Sequence, residues 1–209
     1  MGIGSSLMEV RGLSLKLSNF TLDGTAIVII FVAYGLGCFS TAYYLVRLQT
    51  GQDIRTIGSG NVGAKNAYRV LGIPGFAITF LGDMLKGAIA VWLAITFNLS
   101  TIGILLVILA VVAGHIWPAT LNFRGGKGAS TALGAILVFD TLLGLILLGL
   151  AALTWALIRR FTLSGLIVIV AAPIITWVMG RSTMSVIGMT VLAFLLLIVH
   201  KDNIHGIIR

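Results

Sequence analysis

Ala129-Ser-Thr-Ala-Leu-Gly-Ala-Ile-Leu-Val-Phe139, followed by Asp140 and the apolar run 141–158, decides how this chain is threaded. These 11 residues, if helical, rise only about 17 Å. A bilayer core of roughly 30 Å needs about 20 apolar residues to cross it. Either 129–139 is a short or partly re-entrant crossing of its own, or it runs past Asp140 into one 30-residue span. Five other segments read as spanning or nearly spanning helices, at about 25–46, 74–97, 101–117, 141–158 and 183–199. A further one, about 164–179, is slightly short but uncharged.

Charge chooses between the two threadings. With 129–139 crossing alone and the N-terminus outside, the inner loops hold Arg47, Arg55, Lys65, Arg69, Arg124, Lys127, Arg159, Arg160, Lys201 and Arg209. The outer side then holds Arg11, Lys16 and Arg181, and Lys86 stays within a span, a balance of 10 against 3. Merging the segments moves four inner cations outside and Arg181 inside, giving 7 against 6. Lys and Arg are enriched in cytoplasmic loops. The reading is therefore an all-α polytopic membrane protein with seven transmembrane helices, its N-terminus outside and its C-terminus cytoplasmic.

Composition excludes the alternatives. Of 209 residues, 58% are hydrophobic and only 10% charged, too little charge for a water-facing surface of this size. The single cysteine, Cys38, builds no internal disulfide. The net charge of +8 reads as topology in such a chain, so no nucleic-acid partner is expected. Residues 1–24 carry Glu9, Arg11, Lys16 and Asp23 without a compact apolar run, and read as an extramembrane leader to a single membrane domain over 25–209.

Seven crossings put three polar, glycine-rich stretches, 47–72, 115–128 and 200–209, on one face. The first contains Gly58-Ser-Gly-Asn-Val-Gly63 with Asn66, flanked by Arg55 and Lys65. Glycines at Gly58, Gly60 and Gly63 let backbone N–H groups approach an anion, with Ser59 and Asn61 between them. A flexible basic loop touching lipid headgroups is the plainer reading. A dinucleotide fingerprint is excluded, because no strand precedes the glycines and Asp83 falls inside a span. The second stretch is Gly114-His-Ile-Trp-Pro118 with Asn122-Phe-Arg-Gly-Gly-Lys-Gly128. There Gly125, Gly126 and Gly128 surround Lys127 ahead of a new helix, suited to a phosphate or simply to a tight basic turn. His115 alone reads as an interfacial hydrogen-bonding residue.

Asp83 and Lys86, three apart on one helix face, are costly within a bilayer and imply a mutual pair or a polar cavity. His200 and Asn203 end the last helix and can face the two loops, while Lys201 and Arg209 suit anchoring to anionic lipid. Histidine and cysteine lack metal-ligand spacing, and no Ser-His-Asp order can be argued. Chemistry here must rest on placement and positive electrostatics acting on an activated substrate.

Taken in order, Gly58-Ser-Gly-Asn-Val-Gly63 with Asn66 and Arg69, Asp83-x-x-Lys86-Gly87, Gly114-His-Ile-Trp-Pro with Phe123-x-Gly-Gly-Lys-Gly128, and His200-x-x-Asn203-Ile204 resemble the bacterial acyl-phosphate:glycerol-3-phosphate acyltransferase family over about residues 25–205. The resemblance implies an inner-membrane enzyme of phospholipid synthesis that moves a fatty acyl group from acyl phosphate to the 1-hydroxyl of glycerol 3-phosphate, giving lysophosphatidic acid and phosphate. It implies no cofactor, no metal and no obligate protein partner, with membrane lipid as the surroundings. By matching position, Arg55 and Lys127 are candidates for glycerol phosphate, and Ser59, Gly60, Asn61, Gly63 and Asn66 for the acyl phosphate. His200 and Asn203 would orient the hydroxyl or the carbonyl, Lys127 joins them as catalytic, and Asp83 and Lys86 organise the site. The chain departs from the pattern at Cys38 and Thr162, where serine is usual, at Ser40 for proline, at Lys65 for threonine, and at His205-Gly206 for arginine and leucine. The rival readings are an inactive homologue that binds phosphate-bearing lipids and an organophosphate or anion transporter.

Overall fold

A computed structural model describes residues 23–203, all of whose regular structure is helical. The leader reading for residues 1–22 and the tail 204–209, with Ile204, His205, Gly206 and Arg209, lie outside the described residues. Eight α-helices follow in order: α1 Gly24–Cys38, α2 Thr41–Thr50, α3 Ala64–Thr96, α4 Thr101–Ile116, α5 Ala129–Phe139, α6 Thr141–Ile158, α7 Phe161–Val178 and α8 Thr183–Val199. Five stretches are long and apolar enough to cross a membrane: Gly24–Thr50 (α1 and α2 together), α3, Thr101–Leu121, α6 and α7. The shorter α5 and α8 are apolar too.

Helix ends follow from local chemistry. Asp23, Ser40, Ser100, Asp140 and Ser182 each accept a backbone N–H from the first turn of the helix they open. At Asp140 the backbone is extended (φ −147°, ψ 95°), and its Oδ1 takes the Leu143 amide at 3.1 Å. The chain therefore turns between α5 and α6 rather than continuing as one 30-residue helix. Gly144 packs so tightly on the returning α5 that a Cβ there would meet Leu137 Cα at 2.7 Å. Arg181 clasps Asp140 through an ion pair at 2.7 Å and a hydrogen bond at 3.0 Å, joining this turn to the α7–α8 turn.

Two boundaries differ from the sequence reading. The span expected at 25–46 is one apolar run, yet it breaks at Phe39–Ser40 into α1 and α2. The span expected to begin near residue 74 is the second part of a longer α3 that starts at Ala64. Gly72 (φ 68°, ψ −154°), just ahead of Pro74, kinks α3 and separates the polar opening turns from the apolar remainder.

Helix α4 is central. Its span is 56% buried against 17% for α6, and Val107, Ile108, Val111 and Val112 form the middle of the main core. Lipid tails provide no hydrophobic force between helices, so close approach at small residues does the packing. Gly114 on α4 faces Gly37 on α1, where a Cβ on either would strike the other helix's backbone. Gly87 and Gly134 do the same between α3 and α5, against Thr131 and Met84. Large apolar side chains such as Phe31, Leu157, Val178 and Phe194 stay exposed on the perimeter, as a lipid environment allows.

Gly114→Leu should therefore prevent α1 from seating on α4, and little monodisperse protein should survive size-exclusion chromatography in detergent. Gly149→Leu, at a position with nothing within 4 Å, should elute like the wild type.

Candidate active site

The break at Phe39–Ser40 frees backbone carbonyls inside an apolar span, where an unpaired carbonyl costs several kcal/mol. Side chains from elsewhere take them up. Lys86 Nζ donates to Gly37 O at 3.1 Å and Phe39 O at 2.7 Å, and Thr120 Oγ1 donates to Cys38 O at 3.0 Å. The buried Lys86 ammonium also lies 3.1 Å from Asp83 Oδ1 and 2.8 Å from His115 Nδ1. Thr41 Oγ1, in the first turn of α2, donates to the same Asp83 oxygen at 3.1 Å. A lysine has no lone pair once charged, so His115 Nδ1 is the acceptor and the ring proton sits on Nε2. One charged cluster thus ties α1, α2, α3 and α4 together.

Two loops are built on that frame. In the first, Asn66 is wholly buried. Its Oδ1 accepts from the Ser59 amide at 2.9 Å, while its Nδ2 donates to the carbonyls of Ile54 (3.2 Å) and Ile57 (3.0 Å). Gly58 has a positive φ of 60°, and a Cβ on it would collide with Asn66 Oδ1. In the second loop the Gly125 and Gly126 amides donate to Ile116 O (3.1 Å) and His115 O (3.0 Å), folding the glycine pair back against the histidine. A Cβ at Gly126 would strike the His115 ring. Arg55 joins the loops: it pairs with Asp53 at 2.6 Å, donates to Leu121 O at 2.9 Å and lies over the Tyr43 ring. The hydrogen bonds from Arg55 hold the Asp53 carboxyl below its ordinary range.

The chain end completes the arrangement. His200 Nδ1 donates to Leu196 O at 2.7 Å, which leaves Nε2 as the acceptor of a neutral ring. Burial, opposed by that carbonyl and reinforced by the Lys127 charge, lowers the His200 pKa below the usual histidine value. Asn203 accepts a hydrogen bond from Lys127 Nζ through its Oδ1.

A cavity of about 1270 Å³ lies against these elements. Ser59, Gly60, Asn61, Gly63, Asp83, His115, Gly125, Lys127, Gly128, His200 and Asn203, all expected from sequence, line it. Arg55, Asn66, Lys86 and Gly126 do not. Their polar groups are taken up by the loops and by the helix break, and Gly126 lies behind its neighbours against His115. The wall also carries Tyr68, Arg69 and Ser130, which sequence reasoning did not single out for the site. The signal for Arg69 was its place four residues after Lys65, hence on the same helix face. Away from the loops the lining turns apolar, with Phe76, Leu147, Trp155, Val168 and Met189 among it. The cavity therefore offers a cationic, polar end and a hydrocarbon-like end, a shape for an amphiphile bearing a phosphate.

Comparison with known proteins agrees with this geometry. The family model for glycerol-3-phosphate acyltransferase matches residues 27–209. Glycerol-3-phosphate acyltransferase 1 of Desulfitobacterium hafniense is 46% identical over 195 residues, covering 93% of this chain and 96% of the relative. The Clostridioides difficile glycerol-3-phosphate acyltransferase is 39% identical over 189 residues, covering 88% and 92%. Among solved structures, the glycerol 3-phosphate form of PlsY, an integral membrane glycerol 3-phosphate acyltransferase, superposes with a TM-score of 0.84 at 30% identity, covering 88% of this chain and 92% of that one. Its lysophosphatidic acid form gives 0.82 at 28% identity.

Removing one member of a buried ion pair typically costs about 3–5 kcal/mol. Lys86→Met should therefore lower the thermal unfolding midpoint in detergent sharply, because it strands the Asp83 charge and two carbonyls. Asp53→Asn, at the half-exposed pair on the surface loop, should lower it far less.

Proposed function

The chain belongs to the glycerol-3-phosphate acyltransferase family, and we propose from that premise that it makes lysophosphatidic acid by moving a fatty acyl group from an acyl phosphate to the 1-hydroxyl of glycerol 3-phosphate. The observation that carries the reading is the single cavity with a cationic end and an apolar end. Both substrates bring a phosphate and one brings a long chain. The solved relative's glycerol 3-phosphate and lysophosphatidic acid forms support the acceptor and the product. The acyl-phosphate donor is our own assignment. An acyl phosphate is a mixed anhydride with a good leaving group, so its carbonyl carbon is open to attack without a protein nucleophile.

In this reading the 1-hydroxyl oxygen attacks the acyl carbon, the carbon–oxygen bond to phosphate breaks, and the departing phosphate takes the hydroxyl proton. Lys127, set against Asn203, holds a substrate phosphate by charge. His200 accepts the hydroxyl through Nε2 and fixes its direction. The Ser59 and Asn61 side chains and the Asn61 and Gly63 amides cradle the other phosphate, with Gly60, its own amide held by Ile57 O, shaping the turn, while Gly125 and Gly128 let the second loop approach closely. Arg55 and Asn66 serve by holding the loops in shape, and Asp83, Lys86 and His115 by holding the frame beneath them. The acyl chain lies along the apolar wall.

We assign seven crossings with the N-terminus outside and the site on the cytoplasmic face of a bacterial inner membrane, in one membrane domain over 25–209. The inner-to-outer balance of basic residues supports this orientation. So does the gathering of Lys65, Thr162, Lys127 and Asn203 at one end of the bundle, while Asp140 meets Arg181 in turns at the opposite ends of α5, α7 and α8.

Two measurements test the roles. Lys127→Ala should lower kcat/KM for lysophosphatidic acid formation by about a hundredfold or more while the protein stays folded, since it removes a charged donor from the reacting groups. Wild-type turnover would sink the assignment. Because burial lowers the His200 pKa from 6.5, the neutral ring persists at that pH and charges only below it. Turnover should therefore fall off only at a pH below that at which an ordinary histidine charges, and this acid limb should be lost in His200→Gln.

A further inference from the structure

We propose that Lys65 is a further phosphate-holding residue of this site, paired with Thr162 so that the two present their hydrogens to one substrate phosphate at the cavity mouth. The inference rests on the acyltransferase reading and deepens it. Lys65 stands in the first turn of α3 and Thr162 in the first turn of α7, 97 residues apart, yet Lys65 Nζ donates to Thr162 Oγ1 at 2.8 Å. Both line the cavity. The contact uses one of three ammonium hydrogens and leaves the hydroxyl's own hydrogen, so three further hydrogens are available at the cavity wall.

Charge points the same way. Lys65, Arg69 and Lys127 all line this cavity. Among the described residues none of them makes an ion pair, although Asp202 lines the same cavity; Asp53 is held by Arg55, Asp83 by Lys86 and Asp140 by Arg181. Burial lowers the pKa of Lys127, the Asp202 carboxylate opposes that, and the Lys65 charge adds to it, so Lys65 and Lys127 feel each other's field. A neutral threonine hydroxyl does nothing to relieve repulsion among three cations. A phosphate dianion does, and the Lys65–Thr162 contact holds a place for it, with Asp202 the carboxylate nearest in effect to Lys127. The Phe76–Phe161 edge-to-face contact, with centroids 5.6 Å apart, docks the same two helices and fixes the reach across which Lys65 acts.

The test uses the purified full chain in zwitterionic detergent free of anionic lipid, with inorganic phosphate as the probe and calorimetry as the readout. Lys65→Met should weaken phosphate binding by about three- to tenfold, the range for a half-solvated charged contact, and Lys65→Arg should restore it. In turnover assays the KM for acyl phosphate or that for glycerol 3-phosphate should rise by a similar factor with kcat less affected, and whichever rises names the phosphate held there. Lys65→Thr, shorter and neutral, repeats the test should Lys65→Met fold poorly. Unchanged phosphate affinity and unchanged KM for both substrates would overturn the proposal, as would a defect confined to association with anionic vesicles. A wild-type chain that binds phosphate through Lys65 yet makes no lysophosphatidic acid would refute the acyltransferase reading instead and leave Lys65 as a phosphate ligand.

Discussion

Everything in this molecule leans on the need to satisfy three carbonyls, those of Gly37, Cys38 and Phe39, where an apolar helix stops inside the bundle. A bilayer gives such groups no water, so the bundle must bring donors to them. It brings Lys86 from α3 and Thr120 from the turn after α4. A buried ammonium is itself costly, and Asp83 and the His115 ring offset that cost only because they stand on the neighbouring turn and the neighbouring helix. The resulting cluster fixes His115, and the glycine loop folds back onto His115 through its carbonyl. A single structural demand within the bundle thus ends in the shape of a glycine loop at the cavity.

The site repeats this economy of roles. Among the described residues, few charged side chains line the cavity unpaired: Lys127, Lys65, Arg69 and Asp202 do, while Asn66 and Arg55 nearby hold the backbone in place. Asn66 spends all of its amide on the first loop, and Arg55 spends its guanidinium on Asp53 and Leu121. Preorganised amides and cations around a developing phosphate charge are the large term in such a reaction. The low dielectric of the surrounding apolar wall strengthens each of them. A substrate carrying its own leaving group asks no more of the protein than this.

The sequence made the helices legible because lipid imposes long apolar runs, and the break at Asp140 was legible only through the balance of basic residues between the loops on either side. The break at Phe39–Ser40 was hidden. Its carbonyls are satisfied from a distance, by Lys86 some 47 residues away in the chain, and the capping Ser40 is a weak local sign within an apolar run. The early start of α3 was hidden as well, since Gly72 and Pro74 look like a loop signal whereas they mark a kink between two helical pieces. At the site, motif order found the two loops and the tail. What it could not tell is which donors the loops consume: Asn66 and Arg55 have the chemistry of ligands and the geometry of braces, and only their partners distinguish the two.

The central claim is direct transfer, with no acyl group ever attached to the protein. The most direct test mixes purified protein with palmitoyl phosphate and follows phosphate release with and without glycerol 3-phosphate. The account predicts no release beyond spontaneous hydrolysis until glycerol 3-phosphate is added, and then one lysophosphatidic acid for every phosphate. A burst of phosphate equal to the protein concentration in the absence of glycerol 3-phosphate would mean a covalent acyl-enzyme, and would contradict it.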